Sequence, residues 1–84
     1  MSISDAKKLV GRLCSVSWLD RKGMEQQVVS RVHSVTFVAL YGGYMVTDTE
    51  DVRLDRILRV CAVSSDGGLE PVYSLEAAAA AQAA

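Results

Sequence analysis

The segment from Met24 to Leu40 constrains the fold most, because it is too rich in β-branched residues to form a helix. Valine occupies five of its 17 positions, and Thr36 and Phe37 lie between the last two valines. Such side chains lose rotamer freedom in a helix and pack well on a pleated sheet. His33-Ser34 interrupts the run. The pattern therefore predicts either two strands that meet there or one strand that bends there, and we favour a bend or tight turn.

The residues before this segment predict a strand and a turn. Residues 12–19 alternate with period two, which places Cys14, Val16 and Trp18 on one face of a strand. The polar segment 20–23 ends in a glycine that can adopt a left-handed conformation. We therefore expect the next strand to return antiparallel to the first.

The segment Tyr41-Gly42-Gly43-Tyr44 carries the most marked hairpin signal of the chain. Two glycines can supply the positive φ angles of a primed turn, and the flanking tyrosines can pair across the two strands. A strand over residues 44–47 and a polar turn over residues 48–51 are predicted to follow.

The segment from Val52 to Val60 contains three arginines, and two patterns overlap in it. Leu54, Ile57 and Leu58 have helical spacing, whereas alternation on both sides and several valines favour strands. We predict a strand over residues 52–54, a corner at Asp55-Arg56 and a second strand over residues 57–63.

The two ends of the chain predict helices. Residues 3–10 read as a short amphipathic helix capped by Ser2 or Ser4. Residues 64–68 are predicted to form a loop. Residues 69–73 could add a strand, which Pro71 restricts to the edge of the sheet. Ser74 can cap an alanine-rich segment that is helical or frayed. We expect one domain over residues 1–73 and a tail over residues 74–84.

These elements predict a mainly β fold. Five or six short antiparallel strands with a short N-terminal helix suggest a small SH3-like or Sm-like barrel, with a C-terminal helix if the alanine-rich tail is ordered. Closure of the barrel would remove strand edges that a chain of 84 residues has little material to cover.

The segment from Leu13 to Ile57 resembles the Rho-binding antiterminators. The resemblance lies in the polar turn at Lys22-Gly23, the β-branched middle and the closing string Val52-Arg53-Leu54-Asp55-Arg56-Ile57. Those small bacterial proteins have a short helix before an Sm-like barrel. The resemblance implies that fold and a role in transcription regulation, as a modulator of a Rho-like termination factor. The antiterminators are strongly acidic, whereas residues 1–59 here hold nine basic and seven acidic residues.

Composition indicates a cytoplasmic protein. The N-terminal residues lack the apolar segment of a signal peptide, and no apolar run is long enough to span a membrane. Two cysteines are too few for a disulfide-rich scaffold, so we expect Cys14 and Cys61 to be buried thiols on facing strands. The net charge of −1 argues weakly against a role in binding nucleic acids.

The sequence offers no pattern typical of an enzyme. His33 is the single histidine, and pairing it with Cys14 or Cys61 as a nucleophile depends on the fold. The same three residues lack the Cys-x-x-Cys spacing of a zinc site, and Gly42-Gly43 lacks the context of a phosphate loop. We expect no catalytic residue, no metal and no cofactor.

Binding is the predicted role. The candidate binding residues are cations that can contact phosphates and aromatic residues that can stack on bases: Arg53, Arg56, Arg59, Tyr41 and Tyr44. Nearby acids could instead pair with the arginines as surface ion pairs. We expect a regulatory module that docks on a larger protein. Single-stranded RNA or DNA binding and self-assembly into homo-oligomers remain alternatives, and no membrane partner is expected.

Overall fold

The computed structural model describes residues 1–77, which form one open sheet of six antiparallel strands and two short helices. The elements in chain order are α1 (Ile3–Lys7), β1 (Leu13–Leu19), β2 (Glu25–Val38), β3 (Gly42–Thr47), β4 (Asp51–Arg53), a 3-10 helix here named the corner helix (Leu54–Arg56), β5 (Ile57–Val63) and β6 (Leu69–Ser74). The strand order is β4-β3-β2-β1-β5-β6. This confirms the mainly β fold with a short N-terminal helix.

The long strand β2 bends, as the sequence predicts. Its first half pairs with β1 as far as Arg31, and its second half pairs with β3 from Val32 onward. The register shifts between Val32 and Ser34, which makes His33 a bulged residue. Bulges bend a strand and increase its twist, so β2 runs through both halves of the sheet.

The corner helix forces the sheet to curl. β4 and β5 lie four strand spacings apart in the sheet order, which is about 19 Å in a flat sheet. Only the three residues of the corner helix join them, and even a fully extended link from Arg53 to Ile57 would span about 14 Å. β4 and the start of β5 therefore approach each other across the curled sheet. The predicted strand–corner–strand arrangement of 52–63 is confirmed, with a shift of one residue at the corner.

The core lies inside this curl, where side chains from β1, β2, β3 and β5 meet those of α1. The buried apolar residues are Ala6, Leu9, Cys14, Val16, Trp18, Val32, Met45, Val52, Leu54, Ile57, Val60 and Ala62. The strand predicted over residues 12–19 is confirmed, and Cys14, Val16 and Trp18, which were predicted to share one face, all belong to the core. Leu54, Ile57 and Leu58 are the three apolar residues around the corner that could contribute to the core. Leu54 and Ile57 are buried, and Leu58 is half-buried.

Helix α1 is shorter than predicted. Ser2 caps it by accepting a hydrogen bond from the Asp5 N–H at 3.1 Å, but the helix ends at Lys7 instead of reaching Val10. The following residues form turns, and the Gly11 N–H donates to the Val32 carbonyl at 2.7 Å. Ending the helix early lets the chain reach β1 while Leu9 stays buried against the core.

The turn between β2 and β3 lies earlier than the two glycines predict. Residues 39–41 form it, whereas Gly42 and Gly43 belong to β3. A Cβ on Gly43 would lie 2.8 Å from Leu54 Cδ1, so this glycine is needed for close packing. Of the two glycines only Gly42 takes a positive φ, of 92°, and Leu40 in the turn takes one of 77°. Tyr41 therefore sits in the turn, and the predicted pairing of Tyr41 with Tyr44 does not form.

The C-terminal strand is an edge strand, as predicted. β6 pairs with β5 alone, and Pro71 lies within it. Ser74 Oγ accepts a hydrogen bond from the Ala77 N–H at 3.4 Å. The remainder of the predicted alanine-rich helix lies outside the described residues. No helix within residues 1–77 is long and apolar enough to cross a membrane.

Candidate binding site

A cleft of about 230 Å³ opens beside the corner helix. The end of β1, the β1–β2 turn, β3, β4 and the corner helix all contribute to its walls. The lining residues are Trp18, Leu19, Asp20, Arg21, Tyr44, Asp51, Val52, Arg53 and Arg56. Three of the five predicted binding residues, Tyr44, Arg53 and Arg56, therefore line the same cleft.

Burial of two aliphatic residues positions the polar residues of the corner. Leu54 and Ile57 point into the core, with exposed fractions of 3% and 1%. In the tight turn of a 3-10 helix, the residues between these two anchors must point outward. Asp55 is exposed as a result, and Arg56 is half-buried at the cleft wall.

The charge of Arg53, at the end of β4, is balanced by Asp55 of the corner helix. Its guanidinium donates two hydrogen bonds to Asp55, from Nε at 3.1 Å and from Nη2 at 2.7 Å. This fork-shaped geometry fixes both side chains more firmly than a single contact would. Arg53 therefore shapes the cleft wall, while its charge is largely balanced by its neighbour.

Arg56 differs from Arg53 in having no such partner. Within residues 1–77, no carboxylate lies within the 4.0 Å that defines an ion pair with Arg56, and its guanidinium makes no hydrogen bond. A half-buried guanidinium keeps its charge and its five donors. Arg56 is therefore available to bind an acidic or carbonyl group that enters the cleft.

Asp20 brings a negative charge to the opposite wall and also fixes the β1–β2 turn. The Met24 N–H, at 2.9 Å, and the Lys22 N–H, at 2.8 Å, both donate to its carboxylate. The hydrogen bond from Met24 is the main cause that lowers the pKa of Asp20, and the charge of Arg56 adds a smaller effect in the same direction. Asp20 therefore stays ionised and locally ordered beside the cleft.

The two remaining predicted binding residues lie elsewhere. Tyr41 is exposed in the turn between β2 and β3. Arg59 is exposed on β5, opposite Ser17 on one side and Ser74 on the other. Neither residue lines the cleft. The three arginines therefore do not form one basic face.

Six lining residues were not predicted from the sequence, among them Trp18, Asp20 and Arg21 at the end of β1 and in the turn after it. Trp18 is largely buried and forms part of the floor. The available signal is the position of the polar turn directly after a strand whose second-last residue is aromatic. Only the register of β1 against β5, in which Trp18 lies opposite Ile57, brings that turn next to the corner helix.

The cysteines and the histidine do not converge within the described residues. Cys14 is buried opposite Ala62, while Cys61 lies opposite Ser15 and is half-buried, so their side chains point to opposite faces of the sheet. Burial is the main cause that raises the pKa of the Cys14 thiol. The two cysteines are on paired strands, as predicted, but only Cys14 is fully buried.

His33 contacts Asp48 at the surface, where the bulge of β2 meets the end of β3. Over residues 1–77, the histidine, cysteine and carboxylate side chains form no group of three that could hold a metal ion. Among the described residues, the cleft combines two arginines without an ion pair, a third arginine paired with Asp55, two acids and two aromatic residues: Arg21 and Arg56, Arg53, Asp20 and Asp51, and Trp18 and Tyr44.

Compared with protein-family models, with curated proteins and with solved structures, the chain matches none of them.

Proposed function

We propose that this chain is a non-enzymatic regulatory module that docks on a larger protein partner through the cleft beside the corner helix. The observation that carries this proposal is the state of Arg56, a half-buried guanidinium that lines the cleft without a carboxylate partner among the described residues. Arginine in a partly desolvated position beside aromatic residues is typical of anchoring positions in protein interfaces.

The size of the cleft favours a protein over a small molecule. Its volume of about 230 Å³ is smaller than the volume of most small-molecule sites, which is about 300–1,000 Å³. Such a cleft accommodates one or two side chains of a docking segment. Arg56 suits a carboxylate on that segment, and Trp18 and Tyr44 suit an apolar group beside it.

The finer proposal is an SH3-like or Sm-like barrel that modulates a Rho-like transcription-termination factor. The curled sheet with a shared, bent β2 and a short corner between β4 and β5 supports the barrel. The resemblance of the string Val52 to Ile57 to the Rho-binding antiterminators supports the partner. Binding of purified Rho tests this partner directly: saturable binding that Arg56→Ala weakens is expected, and no binding would remove Rho and leave the docking proposal standing.

Affinity capture with matched variants tests the docking proposal. The wild-type chain and Arg59→Ala should retain the same partner from a bacterial lysate, whereas Arg56→Ala should lose it. Arg59 is a suitable control because it is also a surface arginine in the same part of the chain but lies outside the cleft. Failure to recover any protein above background, or equal recovery by Arg56→Ala, would contradict the proposal.

Single-stranded RNA or DNA is the second candidate ligand, and a different groove favours it. Arg12 and Arg31 flank an open groove of about 470 Å³, whose rim carries the hydroxyl groups of Ser64 and Ser65. Arg12 has only a loose contact with Glu70, at 3.9 Å. Phosphate-driven binding weakens as salt rises, so the fluorescence anisotropy of a labelled oligonucleotide mixed with the protein should fall as salt is added. The anisotropy should also be lower with the double variant that carries both Arg12→Ala and Arg31→Ala. Flat anisotropy at low salt would end this alternative.

A further inference from the structure

The second half of β2 has one edge that no other strand within residues 1–77 covers. The ladder with β1 ends at the pair Leu13–Arg31, and Gly11 and Arg12 exchange hydrogen bonds with Val32. Beyond that point, β2 pairs only with β3 within residues 1–77. Because the hydrogen-bonding groups of a strand point alternately to its two sides, the edge from Ser34 to Val38 presents unpaired N–H and C=O groups away from β3.

The two terminal strands of the sheet are protected against strand addition, unlike this edge. β4 is only three residues long and begins at Asp51, directly after Glu50. β6 contains Glu70 and Pro71. Short length, charge and proline are the usual devices that prevent pairing with another chain. The segment 34–38 has no charged residue and no proline, so it is the edge best suited to accept another strand.

Apolar side chains are exposed along the same hairpin. Phe37 is 68% exposed, Leu40 is 99% exposed, and Val38 and Tyr41 are exposed beside them. No charged residue occurs from Ser34 to Thr47. These four side chains expose on the order of 500 Å² of mostly apolar surface, at the upper end of what single-chain proteins leave uncovered.

We propose that two copies of this chain associate about a two-fold axis, by antiparallel pairing of their β2 edges over Ser34–Val38. Pairing near Phe37 places the apolar tip of each hairpin (residues 37–41, here named the tip) against the second half of β2 in the other copy. The dimer is a property of the chain beyond the docking proposal, because it uses residues outside the cleft.

The absence of charge favours a second copy as the occupant. A two-fold axis brings each segment against itself, so any charged residue near the axis would lie close to a like charge. The segment 34–38 avoids this repulsion. Burial of two tips removes on the order of 1,000 Å², which reaches the approximate threshold for a specific interface before the strand pairing is included.

A membrane surface fits the tip less well. At the base of the hairpin Asp48 contacts His33, and the chain carries a net charge of −1. Residues 33–48 contain no lysine or arginine that would attract anionic lipid headgroups, and one shallow apolar anchor gives only weak membrane binding.

Sedimentation velocity over a concentration series tests the proposal, with full-length wild-type chain and three single variants. The wild-type protein should shift with concentration toward twice the 9.0 kDa mass of the chain. Phe37→Glu should raise the dimer dissociation constant about tenfold or more, because it places like charges near the axis. Val29→Glu is the matched control, since Val29 lies on the first half of β2, is 57% exposed and should leave the dimer unchanged.

Leu40→Asn keeps the test decisive if Phe37→Glu fails to fold. Leu40 is almost fully exposed and has a positive φ, which asparagine tolerates better than leucine, so this variant leaves the core intact and weakens only the dimer. A wild-type chain that stays monomeric at every concentration would overturn the proposal. So would a dimer that survives both Phe37→Glu and Leu40→Asn, or one that Val29→Glu disrupts equally.

Discussion

The corner that joins β4 to β5 and the hairpin formed by β2 and β3 are built from opposite kinds of residue. The segment 51–57 contains four charged residues and buries Leu54 and Ile57 as anchors. The segment 34–47 contains no charged residue and leaves an apolar tip in solvent. Burial fixes the backbone of the corner, so its charges sit at defined positions. The tip has little to bury against among the described residues, so its apolar surface is available for contact with another molecule.

Two leucines give the largest expected contrast between these regions. Leu54→Ala should lower the free energy of unfolding by about 2–5 kcal/mol, because Leu54 is 3% exposed and its removal leaves a cavity. Leu40→Ala should change it by less than about 0.5 kcal/mol in the monomer, because a solvated side chain contributes little packing. Denaturant unfolding at low protein concentration measures both. Equal effects would show that the corner does not anchor the fold.

Two neighbouring glycines sharpen the comparison, because of the two only Gly43 lies against a side chain of the corner helix. Gly43→Ala should cost about 1–3 kcal/mol, since the new Cβ would meet Leu54 Cδ1 at 2.8 Å. Gly42→Ala should cost about 1 kcal/mol through its φ of 92° alone, because the space around it is open. The cost of Gly43→Ala should fall in a Leu54→Ala background, whereas the cost of Gly42→Ala should not. An unchanged cost in the double variant would contradict the contact.

These two segments also show how far the sequence predicts the fold. Strand, corner and strand over 52–63 could be predicted because apolar and arginine residues alternate on both sides of the corner. The turn of the hairpin could not be placed correctly. Its local signal is Gly42-Gly43, but Gly43 is required by the approach of Leu54 and Ile3, which is a tertiary contact. Within the turn itself, Leu40 adopts the left-handed conformation against its local preference, and Gly42 has a positive φ at the start of β3.

The candidate site could be predicted only in part for a related reason. Arg53, Arg56 and Tyr44 belong to neighbouring segments, and their residue types suggest binding. The opposite wall comes from the β1–β2 turn, which is distant in sequence and reaches the cleft only through the register of β1 and β5. Whether an arginine is free or paired is likewise decided by geometry: Asp55 pairs with Arg53 and not with Arg56.

Removing a buried hydroxyl from the half of β2 that pairs with β1 should have a smaller effect on stability. Ser30 Oγ is buried and has no hydrogen-bond partner within residues 1–77. An unpaired polar group in a core is unfavourable, so Ser30→Ala should leave stability unchanged or raise it by up to about 1 kcal/mol. Denaturant unfolding measures the change. A loss above about 1 kcal/mol would mean that the hydroxyl makes a stabilising contact.

The smallest expected effect concerns acid stability at the cleft. The hydrogen bond from the Met24 N–H is the main cause that holds the pKa of Asp20 below its ordinary value of 3.8. A lowered pKa in the folded state contributes stability above pH 3.8, and this contribution is lost as the pH falls through the lower folded-state value. The stability of Asp20→Asn should therefore fall less steeply than that of the wild-type chain on acidification below about pH 4. Identical slopes for the two proteins would contradict this role of Asp20.

We propose that the corner binds a partner and that the hairpin binds a second copy, each independently. Partner capture and sedimentation velocity on two variants, Arg56→Ala and Phe37→Glu, test both parts together. We expect Arg56→Ala to lose the partner and keep the dimer, and Phe37→Glu to lose the dimer and keep the partner. Loss of both properties in either variant, or retention of the partner by Arg56→Ala, would contradict this proposal.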